Sequence, residues 1–190
     1  MTDTAVRRWT WTADLYEQAA EHGLFGREAR VELIDGEIYE VSPMGLEHAA
    51  TIARLLDLLY DNVDRRRWVI GSQLPVRIED RSEPEPDLWV ATAPRKRYDD
   101  HHPGPDELAL VVEVSDSSLN FDRDVKLPRY AVTRVPEVWI VSLAARVIHF
   151  FAAPDKVCGS YRHVATLGRG ERVRSDVLGI ELAVDDILPA

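Results

Sequence analysis

The stretch LALVVEV, residues 108–114, constrains the fold more than any other part of the chain. Its apolar residues are continuous rather than alternating, and three of them are β-branched. A short run of this kind reads as a strand buried on both faces, which requires a central sheet covered by helices or further chain on each side. Glu113 is set into the far end of the run, beside Val112 and Val114. Desolvation there disfavours the charged carboxylate, so a compensating partner is required.

The flanking segments supply the layers. TADLYEQAAEH, residues 12–22, reads as a helix capped by Thr12 and stopped by Gly23. RVELIDGEIYEV places Asp35-Gly36 between two β-rich runs, a hairpin signal. A helix over roughly 45–64 carries Ile52, Leu55, Leu56, Leu59 and Val63 on one face. RRRWVIGSQLPVRI reads as a strand broken near Gly71, and EPDLWVAT as another. FDRDVKLPRYAVT reads as a helix with Asp122 as its N-cap and Pro128 loosening a turn. EVWIVSL and RVIHFFA are strands around a turn at Ala144-Ala145, and short strands follow around Gly168, Gly170 and Gly179. The expected fold is α/β (α+β): one domain over residues 1–190, with a central mixed sheet.

Composition narrows the function. The net charge of −10 opposes approach to a phosphate backbone unless basic patches or bound cations offset it locally. Cys158 is the one cysteine, which excludes an internal disulfide and a thiolate metal cluster. No segment reaches the ~18 apolar residues of a membrane span, and MTDTAVRRWTWTADLY lacks a secretory apolar block. The expectation is a cytoplasmic protein with no membrane partner.

Three acids occupy strand positions: Glu32 in VELI, Asp87 before LWV, and Glu113. Taken singly, Glu32 suits an edge-strand charge and Asp87 a turn after proline. A divalent cation accounts for all three together, because hard cations take carboxylate, water and phosphate oxygens. Lys126 is one of three lysines among 23 basic residues and lies on the helix after Glu113. An ammonium there suits charge stabilisation at a scissile phosphate. His48, in the first turn of the long helix, suits orienting a carboxylate or moving a proton, and equally a hydrogen-bonded histidine of the core.

The ordered blocks VELIDGEIYEVSP with His48, PEPDLWVA, VVEVSDSSLNFDRDVKLPRYA and VPEVWIVSL resemble the Uma-type endonuclease family of the PD-(D/E)xK (restriction-endonuclease-like) superfamily. They span residues 31–143, and IELAVDDIL also resembles the family's ending. The resemblance implies a restriction-endonuclease-like central mixed sheet flanked by helices with acids converging at one end, to which the N-terminal hairpin and additional C-terminal strands read above are added. It implies Mg²⁺ (or Mn²⁺) held by Asp87, Glu113 and the carbonyl of Val114, with Glu32 as the additional acid. The generic lysine position, two residues past the second acid, is Ser115 here; the resemblance implies that Lys126 takes its place. The function implied is endonucleolytic hydrolysis of nucleic acid, with DNA the expected substrate, and a homodimer is compatible with cutting both strands. The alternative is a nuclease-fold binding or regulatory module without turnover.

Other signals carry less. DDHH at 99–102 lies in a Pro-rich loop and reads as solvated rather than metal-binding. Arg65-Arg66-Arg67 and Arg95-Lys96-Arg97 are the best candidate phosphate contacts, although solvated faces are the commoner role. The five tryptophans read as packing aromatics.

Overall fold

The computed structural model describes residues 7–26 and 29–189. Residues 1–6 of the N-terminal stretch, read above for a secretory signal, lie outside the described residues, as do residues 27, 28 and 190. The helix α1 (Ala13–Glu21) begins where Thr12 Oγ1 accepts from the Leu15 N–H, as its sequence predicts. Strands β1 (Val31–Ile34) and β2 (Glu37–Glu40) form a separate antiparallel hairpin. Asp35 and Gly36 adopt φ 52° and 78° in its turn, the left-handed pair that an Asp-Gly turn supplies.

A six-stranded mixed sheet forms the centre, in the order β3 (Trp68–Ser72), β4 (Leu88–Thr92), β5 (Leu108–Ser115), β6 (Glu137–Ser142), β7 (Val147–Asp155), β8 (Ser160–Leu167). The β5–β6 pair is parallel and every other neighbouring pair is antiparallel. All eight residues of β5 are buried, as the unbroken apolar run requires. Strand β3 ends at Ser72, and Gln73 turns the chain at φ 50°. Gly71 is not the break. A Cβ there would stand 2.1 Å from the Trp89 ring, so the glycine leaves room for the indole on the neighbouring strand.

A parallel pair needs a crossover, and here it is helical throughout. It comprises α3 (Leu119–Phe121), a π turn (Asp122–Lys126) and α4 (Leu127–Val132). The Leu127 N–H reaches back five residues to the Asp122 carbonyl. Pro128 has no N–H and its ring crowds the preceding turn, which explains why the helix widens just before it. One core layer packs helix α2 (Leu46–Asn62), the hairpin β9 (Arg172–Ser175)–β10 (Ile180–Ala183) and α5 (Val184–Ile187) on the sheet through Leu55, Leu59, Val112, Trp139 and Ile187. The other packs α4 on the opposite face through Tyr130, Ala131, Val111 and Trp89. Strand alternation therefore sends Val111 and Glu113 toward α4.

Glu137, at the start of β6, is 1% exposed. Burial pushes its carboxyl up from 4.5 to about 7, although hydrogen bonds from Ser175 and Trp139 work against the rise. A carboxyl raised on folding gives its full stabilisation below the unfolded value, and that stabilisation is lost as pH rises through the folded one. The loss across this window is about 3 kcal/mol. Glu137→Gln keeps the acceptor for the Trp139 indole N–H, which lies 2.8 Å away. The variant's stability advantage over wild type in urea denaturation is expected to widen from pH 5 to pH 8. A difference independent of pH contradicts the assignment.

Candidate active site

The C-terminal end of β5, the start of β4 and the hairpin β1–β2 meet the helical crossover around a cavity of about 260 Å³. Glu32, His48, Asp87, Glu113, Val114 and Lys126 all line it. Their sources differ. Glu32 comes from β1 and His48 from the first turn of α2. Asp87 immediately precedes β4, while Glu113 and Val114 lie near the end of β5.

Lys126 is the hub. Its Nζ lies 3.1 Å from Glu32 Oε1, 3.2 Å from Glu113 Oε1 and 3.9 Å from Asp122 Oδ1. Glu32 Oε2 is also 2.9 Å from Nζ but lacks hydrogen-bonding alignment. The lysine is 4% exposed, and Glu32, Glu113 and Asp122 are equally buried. The π turn sets the phase that delivers this side chain to the sheet.

Asp87 joins the group from the other side. Its Oδ2 accepts from the Val114 N–H at 2.7 Å, and its Oδ1 lies 2.8 Å from His48 Nε2. Three carboxylates thus surround one ammonium, with a fourth braced by β5 and α2. Burial holds the Glu113 carboxyl well above its usual range; Lys126 opposes the rise, whereas Asp122, Asp87 and Glu32 add to it. Burial also raises Glu32, again against the pull of Lys126. For Lys126, burial works to lower the ammonium, but Glu113, Glu32 and Asp122 together hold it above its usual value.

Several residues of this network carry no local signal. Tyr130 donates its hydroxyl to Glu113 Oε1 at 2.7 Å, four residues after Lys126 on the same helical face. Asp122, which its sequence context suggests as an N-cap, lies instead inside the π turn, 4% exposed. Its Oδ2 accepts from both Ser115 Oγ and Ser118 Oγ at 2.7 Å, and those hydroxyls draw it inward. Ser115 lies two residues beyond Glu113 and so shares its face. The serine at the generic lysine position thereby anchors the turn that presents Lys126.

The basic clusters lie elsewhere. Trp68 pairs with Thr92 at one end of β3–β4, and Ser72 pairs with Leu88 at the other. Arg65–Arg67 precede the first pair and Arg95–Arg97 follow it, whereas Asp87 adjoins the second. Arg97 is paired with Glu107, and Arg65 and Arg67 lie over Tyr60 and Trp68. At the cavity itself Arg30 pairs with Glu85 at 3.2 Å. Of the tryptophans, Trp89 and Trp139 are buried, Trp11 and Trp68 partly so, and Trp9 is exposed. In the DDHH loop, His101 contacts Asp100 and Glu107, while His102 faces Glu17.

Comparison with known proteins follows the same outline. The family model Uma2, described as "Putative restriction endonuclease", matches residues 13–185. No curated protein matches the chain. A crystal structure of "a putative nuclease belonging to DUF820" from Anabaena variabilis superposes with a TM-score of 0.69. The match covers 93% of this chain and 97% of that one, at 15% identity, a likeness of fold. With its family model matched from α1 to α5, a mixed sheet flanked by helices and a hairpin ahead of it, the chain belongs to the Uma2 family of restriction-endonuclease-like proteins.

Proposed function

We propose that the protein is a divalent-cation-dependent endonuclease that hydrolyses phosphodiester bonds of DNA in the cavity at the end of β5. The observation that carries this reading is the burial of Lys126 among Glu32, Glu113 and Asp122, with Asp87 alongside. The donors Asp87, Glu113 and the Val114 carbonyl are all oxygen, which fits Mg²⁺ or Mn²⁺. A cation at these donors would also favour the charged form of Glu113, which burial opposes. When bound, the ion supplies polarisation of a phosphate oxygen and a water acidic enough to attack at neutral pH.

The chain's own residues orient and neutralise. Hydrogen bonds from His48 and Val114 would fix both oxygens of Asp87. Tyr130 and Lys126 share Glu113 Oε1, leaving Oε2 for ligation. Lys126 would offset charge on the phosphorane-like transition state. The water oxygen bonds to phosphorus as the bond to the leaving sugar oxygen breaks, and that oxygen takes up a proton.

Purified protein with Mn²⁺ or Mg²⁺ is expected to cut single- or double-stranded DNA, and a chelator to stop it. Absence of both metal binding and cleavage at any protein concentration would overturn the reading. A second reading, a nucleic-acid-binding module without turnover, is favoured by one feature: Lys126 is fully engaged by its own acids. Binding in fluorescence anisotropy without cleavage supports that module.

A further inference from the structure

We propose that Glu17, Glu83 and His102 form a second cation site, for a transition-metal ion of the zinc type, which clamps α1 and the DDHH loop to the segment before β4. One donor atom from each residue lies within 4.8 Å of the other two. Among the described residues no other group of three or more His, Cys, Asp or Glu side chains meets that spacing, the acid pocket included. In the pocket the lysine stands between the carboxylates; here no ammonium does.

Glu83 gives the strongest indication of a ligand. It is 3% exposed, and its Oε2 is buried without a hydrogen-bond partner among the described residues. A buried carboxylate oxygen left unpaired is costly, and a cation removes that cost. The neighbouring arginine does not serve it. Arg77 directs Nη2 to Asp14, and its Nη1 stays 3.8 Å from Glu17 Oε1. His102 Nε2 is 4.0 Å from Glu17 Oε1, beyond hydrogen-bonding reach. A tetrahedral ion bonded to both would draw the two atoms to roughly 3.3 Å, which a small turn of either partly exposed side chain allows. Glu17 and His102 are partly exposed, so an ion can enter and keep water ligands.

The backbone holds the three donors in place. The Arg77 N–H donates to the Pro103 carbonyl at 3.0 Å, fixing the residue after His102. The Ala13 N–H donates to the Asp80 carbonyl at 2.8 Å, fixing the start of α1. The Glu83 N–H donates to the Leu33 carbonyl at 2.7 Å, next to Glu32. An ion on Glu83 would therefore also firm the hairpin that carries an acid of the other site. One imidazole with two carboxylates suits Zn²⁺, whereas Mg²⁺ prefers oxygen donors.

The test is Zn²⁺ titration by calorimetry in excess Mg²⁺, which occupies oxygen-only sites. Wild type and Asp87→Asn are each expected to take up one equivalent of Zn²⁺. His102→Ala and Glu83→Gln should lose it or bind at least about 100-fold more weakly. Glu83→Gln should also lose the Zn²⁺-induced rise in melting temperature that wild type shows. The proposal is overturned if wild type binds no Zn²⁺ under these conditions. It is equally overturned if either His102→Ala or Glu83→Gln binds as wild type does, or if Asp87→Asn abolishes the uptake.

Discussion

Asparagine at position 87 is expected to lower metal-dependent DNA cleavage about 1,000-fold while leaving the protein folded. A bound cation contributes several kcal/mol of transition-state stabilisation, and each 1.36 kcal/mol is a factor of ten in rate. If Asp87 and Glu113 hold the ion as proposed, losing one of the two carboxylates forfeits most of that contribution. The amide retains an oxygen for the Val114 N–H, which Asp87 accepts at 2.7 Å, so the strand ends stay joined. It also removes one of the charges that raise Glu113, so thermal stability should hold or rise. Single-turnover cleavage and a melting curve on the same preparation separate the two effects. An unchanged rate in a folded variant contradicts a ligand role for Asp87.

Lys126→Met should do the opposite and strike stability first. The methionine fills similar volume but leaves Glu32, Glu113 and Asp122 buried without their cation. Removing one partner of a buried ion pair costs about 3–5 kcal/mol. For a chain of this size that corresponds to a fall of roughly 10 °C in melting temperature. Adding Glu113→Gln to Lys126→Met should restore part of the loss, since the amide no longer needs a countercharge. A double-mutant cycle gives the coupling directly. Additive effects in that cycle would mean that the lysine and the glutamate do not act on each other.

Local chemistry made several elements legible. Thr12, Asp35-Gly36 and the spacing of Leu55 and Leu59 announce their structures within a few residues. The unbroken run before Glu113 announced a strand covered on both faces. What stayed hidden depends on distant partners. Asp122 has the composition of an N-cap, and only the hydroxyls of Ser115 and Ser118 turn it inward. Tyr130 reads as an aromatic of the core until its hydroxyl meets Glu113. DDHH reads as a solvated loop because nothing nearby in the chain shows that His102 faces Glu17. The arginine clusters, credible as phosphate contacts by charge alone, lie at the far end of β3 and β4 from Asp87. Sequence gives their sign, whereas strand direction decides their place.

The contact between Lys126 and Glu32 spans 94 residues of chain. Closing so long a loop carries an entropic cost that must be met before the contact returns anything, and folds rich in such contacts form slowly. No fragment ending before Lys126 can contain the acid–lysine cluster, and neither can a chain whose hairpin has not docked. Both ends of that long loop must therefore be in place before the cluster exists. A chain synthesised only as far as β5 carries three of the pocket's acids, Glu32, Asp87 and Glu113, but not the lysine that joins Glu32 to Glu113.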